Sequence, residues 1–558
     1  MPLNPALISF YDFMVAGRTG HFSDILLYRR YTDGIQTARL NADQIATFEN
    51  DPDHVLNLCP TVLSAKVNRL RVTGIEITHT ADQQATQDGE SSDPSEDAPS
   101  QSLSEQLTEI GRQWWVTSGM DTSQRDIHWS ASRDEDAYLI VDYEDQPRFS
   151  FNLTYDGDTG VDIIYEDDDP RRPVYATKRW NVVNPNNIDM TVKRLNVYYP
   201  NRIEKYINAD GDGTFADANW LPYTGDGDPV INIVEGKNTY SAAVAWWTDE
   251  LVEVVDSDSG EVLKDDEDNA IMRLGPDGTP LGIPVFHFAN NAQGTAYGRS
   301  DLADIVPSLC DQANDASVDL RIASKFAGVN VNVILGHSEL PATYAFTPGA
   351  FFAFPGENVK AHQFTASNLT QLIASKDSVL RDIATVSGTP LPMINPTAQV
   401  SAEGTLQQQE TPLLERVESA QFAWGEQYEN AMRMAISLEW VFGTNIDRLI
   451  TQDGIAALSI ATTWKPAAIR DAAKRVENAA MLHDKGIISQ RAALEVIAPV
   501  YDWDGAKIDE ILRDTRTDRQ SSFADLTLGL PELGDSFPGT PNLADNGSGL
   551  DDLVGVTQ

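Results

Sequence analysis

Apolar residues between positions 300 and 326 recur every three or four places, which is the spacing of a helix that buries one face. They are Leu302, Val306, Leu309, Ala313, Ala316, Leu320 and Ala323. The pattern predicts a helix from Ser300 to Phe326, with Ser300 as its N-cap and Asp301 and Asp304 in its first turn. Pro307 predicts a kink near the start of this helix.

A stretch rich in Gly and Pro, residues 328–363, follows this helix and predicts short strands joined by turns. A second helix is predicted over residues 366–387, with Gly388 at its C-terminal end. Its apolar positions are Leu369, Leu372, Ile373, Leu380 and Ile383. The two helices therefore bracket a compact insert.

Prolines interrupt the helical pattern after Gly388. Pro390, Pro392 and Pro396 lack the backbone N–H and restrict the residues before them, so the sequence predicts a loop over residues 389–401. A third and longer helix is predicted from residue 402 to 442, with a bend at Pro412. Its apolar stripe comprises Leu406, Leu413, Val417, Trp424, Tyr428, Ala431, Met434 and Leu438.

The part of the chain between Ile110 and Phe288 alternates apolar and polar residues between Asp/Gly turns, which predicts mainly β structure. The strands are expected at residues 136–143, 149–153, 161–165, 191–199 and 241–244. Trp114 and Trp115 lie before them on a helix-like segment and are predicted to belong to the core.

Several short motifs follow one another in a fixed order. They are Tyr28-Arg29-Arg30-Tyr31-Thr32-Asp33-Gly34, the stretch 57–76, Pro280-Leu281-Gly282-Ile283-Pro284-Val285-Phe286-His287-Phe288-Ala289-Asn290, Gly298-Arg299-Ser300-Asp301-Leu302, Asp311-Gln312-Ala313-Asn314, Pro390-Leu391-Pro392 and Ser401-Ala402-Glu403-Gly404. Together with the order of the helices, this series resembles the portal proteins of tailed bacteriophages. The resemblance extends over residues 28–513 and is weakest over 83–227.

The resemblance implies an α+β, portal-type subunit with a mixed α/β wing, a two-helix stem, a small α/β clip insert, a long kinked helix and a helical crown. The implied parts are the N-terminal part of the wing (1–79), a disordered acidic loop (80–107), a β-rich wing (108–297), the first stem helix (298–327), the clip (328–364), the second stem helix (365–388), the tunnel loop (389–401), the long helix and wing closure (402–470), the crown (471–515) and a flexible acidic tail (516–558).

The same resemblance implies a dodecameric ring at one capsid vertex of a virion, made in the host cytoplasm. Its channel would carry double-stranded DNA during packaging and ejection without binding it tightly. The expected partners are other copies of the chain, a large terminase motor, a head-completion or adaptor protein and the major capsid protein. The implied tunnel-loop residues at the DNA channel are Pro390, Pro392, Asn395, Thr397 and Gln399. The implied stem seam comprises Leu302, Val306, Leu309, Leu320, Leu369, Leu372 and Ile383.

The charge of the chain changes the expectation about DNA. Its 558 residues include 84 acidic residues against 41 Lys and Arg, a net charge of −43. Tight binding to duplex DNA depends on cations that displace counterions from the phosphates, so the composition disfavours it. An acidic wall suits a conduit through which DNA slides. Adaptation to salty surroundings explains the same composition, and both interpretations stay open.

Residues 80–106 contain no aromatic residue, Lys or Arg, so burial is not expected to offset the ordering entropy of this acidic stretch. The tail from about 517 lacks a periodic pattern and is expected to be mobile. No apolar run reaches the ~20 residues of a membrane span. The start of the chain lacks the cationic pattern of a signal peptide. Cys59 and Cys310 are expected to be buried, apolar in character and reduced.

Candidate chemistry is sparse. Residues 208–213 resemble the start of a calcium loop, but Asn219 stands where a bidentate Glu is expected, so a turn between strands is the preferred interpretation and a cation site the other. No P-loop, HExxH or GxSxG motif occurs. The sequence therefore predicts no catalytic residue, cofactor or metal. The alternatives are a salt-adapted acidic hydrolase with a carboxylate site, or another structural virion protein such as an adhesin or baseplate component.

Overall fold

The structure is a computed structural model of the chain. It describes residues 21–36, 55–79, 102–143, 145–166, 168–184, 187–200, 203–208, 221–222, 281–327, 332–335, 351–354, 360–363, 369–396, 403–443, 445–446, 450, 454–455, 457–467, 472–501, 503, 507–508 and 510–512. The chain forms two compact units, Met1–Ala468 and Ile469–Gln558. No helix in these ranges has the length and apolarity of a membrane span.

The first unit contains both helices and sheets, so the α+β prediction is confirmed at that level. Residues 21–32 are helical. The elements that follow are α1 (Cys59–Val67), β1 (Val72–His79), α2 (Leu103–Thr117), α3 (Met120–Asp134), β2 (Asp136–Tyr143), β3 (Pro147–Leu153), β4 (Gly160–Tyr165), β5 (Pro173–Asn184), β6 (Asn187–Tyr198), β7 (Ile203–Asn208), β8 (Leu221–Pro222), β9 (Val285–Ala289), α4 (Ser308–Ala327), β10 (Asn332–Leu335), β11 (Phe351–Phe354), β12 (Lys360–Gln363), α5 (Leu369–Ser387), α6 (Leu391–Ile394), α7 (Glu403–Phe442) and β13 (Leu458–Trp464).

A three-stranded antiparallel sheet of order β3-β2-β9 lies at the centre of this unit. Strand β2 has the sequence DAYLIVDY, and its first six residues are buried. Helices α3 and α7 pack against the sheet, which explains why the middle strand is apolar along its length instead of alternating.

A second antiparallel sheet has the order β4-β5-β6-β7-β8. Strands β5 and β6 each have 12 residues, so they are roughly 40 Å long at about 3.4 Å per residue. Strands β7 and β8 pair with each other and flank the turn at 208–219. Residues 209–219 of that turn, and the strand predicted at 241–244, lie outside the described residues.

Helices α2 and α3 precede the central sheet and correct two predicted boundaries. Residues 102–107 were assigned to a disordered loop, but Ser102 caps α2 through a capping box with Glu105, and the helix begins at Leu103. The segment 108–134 belongs to helices, so the β-rich part starts at Asp136. Most of the predicted acidic loop, residues 80–101, lies outside the described residues, as does the tail 516–558.

The first stem helix is shorter than predicted. Residues 301–307 form consecutive turns, and α4 begins at Ser308 and has 20 residues. Pro307 is the physical reason, because it has no N–H to donate and disfavours the helical conformation of Val306. Ser300 still caps the first turn, since its Oγ accepts a hydrogen bond from the Leu302 N–H at 3.1 Å.

The insert after α4 contains the three short strands β10, β11 and β12. Strand β10 pairs in parallel with β11 and antiparallel with β12. Helix α5 then packs against α4 and ends at Ser387. Gly388 has φ +63°, the left-handed conformation expected of a residue that terminates a helix.

The loop predicted at 389–401 contains a helical turn, α6, which the sequence analysis excluded. Pro392 lies in the first turn of α6, where the missing N–H would have no helical partner, so a proline is tolerated there. Helix α7 follows with 40 residues and Pro412 inside it. The described residues of its predicted stripe, from Leu413 to Leu438, are buried.

Strand β13 returns the chain to its N-terminal part by pairing antiparallel with β1, from Val72↔Trp464 to His79↔Leu458. The second unit contains α8 (Ala472–Asp484) and α9 (Gln490–Tyr501), which pack on each other. The buried members of its core are Ala479, Ala493, Leu494, Ile497, Ala498 and Ile508.

Candidate functional site

The beginning of α4 and the end of α5, the two predicted stem helices, pack around one buried cluster, here called the stem base. Its members are Tyr28, Tyr31, Leu58, Cys59, Val62, Leu63, Leu302, Ile305, Val306, Cys310, Ala313, Leu380, Ile383, Ala384 and Ile394. It contains three residues of the predicted seam, Leu302, Val306 and Ile383, and Leu309 packs against it half-buried. The other seam residues, Leu320, Leu369 and Leu372, are half-buried and lie outside the cluster.

The buried face of α4 is rotated from the predicted stripe. Helix α4 buries Cys310, Ala313, Asn314, Ser317 and Val318, whereas Ala316 and Leu320 are half-buried. The prediction counted the helical period from Leu302, but residues 301–307 are not helical, so that phase does not continue past Pro307.

Two polar residues of α4 that were assigned to its outer face form contacts inside the unit. The Tyr31 hydroxyl donates to Asp311 Oδ1 at 2.7 Å. Asn314 is buried, accepts from the Leu56 N–H at 2.7 Å and donates to Gln36 Oε1 at 2.6 Å. Asp311 is therefore not part of an exposed acidic face.

Truncating a side chain of the stem base should cost far more than truncating an exposed neighbour on the same helix. Ile383 is fully buried on α5, whereas Val386 is 49% exposed. We expect Ile383→Ala to lower the free energy of unfolding by about 2–5 kcal/mol, because it leaves a cavity. The matched variant Val386→Ala should stay within about 0.5 kcal/mol of the parent. Urea unfolding measures both, and equal losses would place Ile383 outside the core.

A buried group of charged and polar residues lies beside the stem base and is here called the charged junction: Lys66, Asn290, Asp301, Arg416 and the carbonyl of Ser387. The Asp301 carboxylate is at its centre. Asp301 Oδ2 is 3.3 Å from Lys66 Nζ, and its Oδ1 is 2.6 Å from Arg416 Nη2. Asn290 donates to the same Oδ1 at 2.9 Å and accepts from Lys66 Nζ at 2.5 Å. Arg416 Nη1 also donates to the Ser387 carbonyl.

Charge balance explains how Asp301 stays ionised in this position. Burial raises the pKa of Asp301, but the charges of Lys66 and Arg416 outweigh burial and hold the pKa below its ordinary value. Burial lowers the pKa of Lys66, although Asp301 acts in the opposite direction. The Lys66 ammonium also lies 4.9 Å from the centre of the Trp424 ring, a favourable cation–π arrangement.

The charged junction joins elements that are far apart in the sequence. Lys66 is on α1, Asn290 follows β9, Asp301 precedes α4, Ser387 ends α5 and Arg416 is on α7. It therefore connects α1, the turns before α4, the end of α5 and α7 to one another. The segment 389–402, which connects α5 to α7, starts next to these contacts.

The first residues of the predicted tunnel loop are packed inside the unit. Pro390 and Ile394 are buried, and Pro392 is half-buried. Asn395 is half-buried and donates to Asp377 Oδ1 at 3.2 Å. The described start of the predicted loop is therefore anchored in the unit, although Met393 within it is 39% exposed. Thr397 and Gln399 lie outside the described residues.

The motif Gly298-x-Ser300-x-Leu302 has a physical explanation. A Cβ at position 298 would overlap the carbonyl oxygen of Glu135, so only glycine fits. The Ser300 hydroxyl donates to the Arg133 carbonyl at 2.7 Å and caps the following turn. Leu302 is fully buried in the stem base. The three residues together place Asp301 in the charged junction, whereas the sequence analysis predicted it only as a residue of the first helical turn.

A cleft of about 1520 Å³ opens beside the charged junction and contains the arrangement closest to a hydrolytic site. His287 Nε2 is 2.8 Å from Asp136 Oδ1, and its Nδ1 is 2.8 Å from the Tyr165 hydroxyl. A nucleophile next to such a histidine needs to lose its proton readily. Burial raises the pKa of Tyr165, which is the opposite effect. The raised pKa therefore disfavours the Tyr165 hydroxyl as a nucleophile in this cleft.

Sequence reasoning did not identify Lys66, Asn290 and Arg416 as members of a buried charged group. Among the residues that the structure describes, no group of His, Cys, Asp and Glu side chains is arranged to hold a metal ion. Arg416 carried a weak signal, since it adjoins the buried stripe of α7 at Val417. Lys66 carried none, because a lysine near the end of a short helix is typical of a solvent-facing position. No family model matches this sequence, and no curated protein matches it.

Proposed function

We propose that the chain is a subunit of a ring-forming portal at one capsid vertex of a tailed-phage virion. The ring is the channel for DNA packaging and ejection, and it is the docking site for a large terminase motor and a tail adaptor. The ring, expected to be a dodecamer, sits in a shell of the major capsid protein. DNA passes through it without tight binding, and the motor supplies the chemical energy.

The observation that carries this proposal is the order of elements from α4 to α7. Two helices that pack on each other bracket a three-stranded insert, and a short proline-rich segment then leads into a 40-residue helix with an internal proline. The resemblance to portal proteins rests on the same order. Neither a hydrolase nor another structural virion protein requires it.

The charged junction gives the arrangement a mechanical use. A loop that contacts moving DNA experiences force along the channel, and its attachment has to resist displacement. The segment 389–402 begins beside Ser387, whose carbonyl belongs to the charged junction, and it contains the buried residue Ile394. Force on that segment is thus shared among α1, α4, α5 and α7 instead of bending one helix.

The charge distribution on α4 agrees with a conduit that does not hold DNA. Asp315 and Asp319 are exposed one turn apart, and Gln312 is exposed one turn before them. A channel wall with this face repels phosphate, and the whole chain adds a charge of −43 per subunit. Asp311 was predicted on the same face, but it is half-buried and its carboxylate accepts a hydrogen bond from the Tyr31 hydroxyl, so it contributes less to the repulsion of phosphate.

Electron microscopy of the purified chain tests the proposal directly. We expect negatively stained particles to be rings with a central hole, because heterologous contacts between identical subunits close into rings. Analytical ultracentrifugation on the same sample should give one large species. Compact single particles of subunit mass would contradict the portal assignment and favour the hydrolase alternative.

A further inference from the structure

The two cysteines of the chain are neighbours in the stem base, although 251 positions separate them in the sequence. The Sγ atoms of Cys59 and Cys310 are 3.7 Å apart, and both side chains are buried. Cys59 is the first residue of α1, and Cys310 lies in the first turn of α4. The chain has no other cysteine, so each thiol has one possible disulfide partner in its own chain.

We propose that Cys59 and Cys310 form a redox modification site, which a peroxide converts into an intramolecular disulfide. One thiolate attacks the O–O bond of the peroxide, which gives a sulfenic acid and releases hydroxide. The second thiol then attacks the sulfenic sulfur, forms the S–S bond and releases water. The two sulfur atoms together lose two electrons, and hydrogen peroxide is reduced to two molecules of water.

The geometry requires only a small movement. A disulfide has an S–S distance of about 2.05 Å, so the sulfur atoms have to approach by less than about 2 Å. Both cysteines are at the beginning of a helix, and Ile383 and Ala384 of α5 belong to the same buried cluster. In the proposed disulfide, the two side chains rotate within this cluster to close the gap between their sulfur atoms.

The environment makes the reaction slow. The hydrogen bond with Cys310 and burial both raise the pKa of the Cys59 thiol, so little thiolate is present at neutral pH. Oxidation therefore follows the rare opening of the stem base. The thiols stay reduced through synthesis in a reducing cytoplasm and oxidise over long exposure to oxidising surroundings.

The disulfide joins the first residue of α1 to the first turn of α4. It closes a very long loop of chain, and the loss of conformational freedom in the unfolded state stabilises the folded unit. The chemistry does not depend on the portal assignment. The timing of the oxidation rests on the proposed function, in which a virion leaves the cytoplasm after the ring has been built.

Mass spectrometry of the full chain tests the proposal. The reduced protein is incubated with hydrogen peroxide, and its intact mass is expected to fall by about 2 Da for the two hydrogens removed. Digestion without reductant should yield the Cys59 peptide joined to the Cys310 peptide. The midpoint of thermal unfolding should rise by a few degrees and return to its first value after dithiothreitol.

The matched controls are Cys59→Ser and Cys310→Ser, with the two alanine variants as replacements if a serine variant fails to fold. None should show the loss of mass or the gain in midpoint under peroxide. A gain of one or two oxygen atoms without the joined peptide would overturn the proposal. Joined peptides from two different chains, or a disulfide that forms only in denatured protein, would overturn it equally. The shape of the particle, ring or compact, is read separately and decides the proposed function alone.

Discussion

Replacing Asp301 with alanine is expected to destabilise the first unit by about 3–5 kcal/mol, because it leaves a buried cation without its partner. The side chain of Lys66 is only 3% exposed and lies 3.3 Å from the Asp301 carboxylate. Arg416, at 32% exposure, can recover part of its solvation. Urea unfolding followed by circular dichroism measures the loss, and the variant should also form few rings.

A nearby acidic residue provides the control for this variant. Asp304 forms an ion pair with Arg299 at 2.6 Å, but both side chains are more than half exposed. Surface pairs of this kind contribute about 0–1 kcal/mol, so Asp304→Ala should be close to neutral. If Asp301→Ala and Asp304→Ala shift the unfolding midpoint equally, the charged junction has no special structural role.

The same carboxylate predicts a pH dependence with a definite sign. The pKa of Asp301 is lowered in the folded chain, so the carboxylate contributes stability above its unfolded pKa of about 4 and loses it as the pH falls through the lower folded value. The stability difference between the parent and Asp301→Asn is therefore expected to shrink between about pH 7 and about pH 3. A constant difference over that range would show that Asp301 does not titrate with unfolding.

Replacing residues 397–400 with Gly-Ser-Gly-Ser is expected to leave ring formation intact and to reduce the DNA packaged per particle, because it removes the polar side chains that the proposed loop presents to the duplex. The replaced residues include Thr397 and Gln399, and the substitution keeps the length of the loop. It spares Ile394, whose burial in the stem base makes a longer deletion unsuitable. DNA content per particle, measured after nuclease treatment, gives the result.

The control for the loop variant is the same tetrapeptide at residues 291–294, an exposed stretch between β9 and Gly298. Particles with that replacement should package a normal amount of DNA. That result would show that four glycine and serine residues are harmless in themselves. Normal packaging by both variants would remove the loop from the proposed mechanism. Loss of rings in the 397–400 variant would assign the segment to assembly.

The sequence predicted the long helix well because the spacing of its apolar residues, its helix propensity and its burial all indicate the same structure. Leu413, Val417, Trp424, Tyr428 and Ala431 follow the helical period without interruption, and all of them are buried in α7. Propensity, period and burial agree there. The same reasoning worked for β2, whose apolar pattern is equally continuous. It worked only in part for α5, which is helical but leaves its predicted apolar position Ile373 46% exposed.

The prediction was wrong where a local break resets the pattern. Pro307 separates Leu302 and Val306 from α4, so a stripe that looks continuous in the sequence belongs to a series of turns and to a separate helix. Pro392 was predicted to prevent a helix, but in the structure it lies in the first turn of α6. In both cases the outcome depends on where the proline lies relative to the start of the helix, and the sequence alone does not show where the helix starts.

The charged junction could not be predicted at all from local pattern. Lys66 and Asp301 are more than 200 residues apart, and a lysine and an aspartate have the same sequence signature whether they are buried together or exposed separately. Only the assembled fold brings them to 3.3 Å. In such pairs the information lies in long-range contacts, which a single sequence does not encode in any short window.

The stretch from Gly298 to Leu302 has a consequence for finding distant relatives. Each of its three fixed positions is determined by a different force: a steric limit at Gly298, a hydroxyl that both donates and accepts at Ser300, and complete burial at Leu302. These three requirements do not depend on one another, so sequence changes elsewhere in the chain are not expected to remove them. A search that requires this small pattern just ahead of a helix, with a long helix about a hundred residues later, is expected to recover homologues whose overall identity is too low to align.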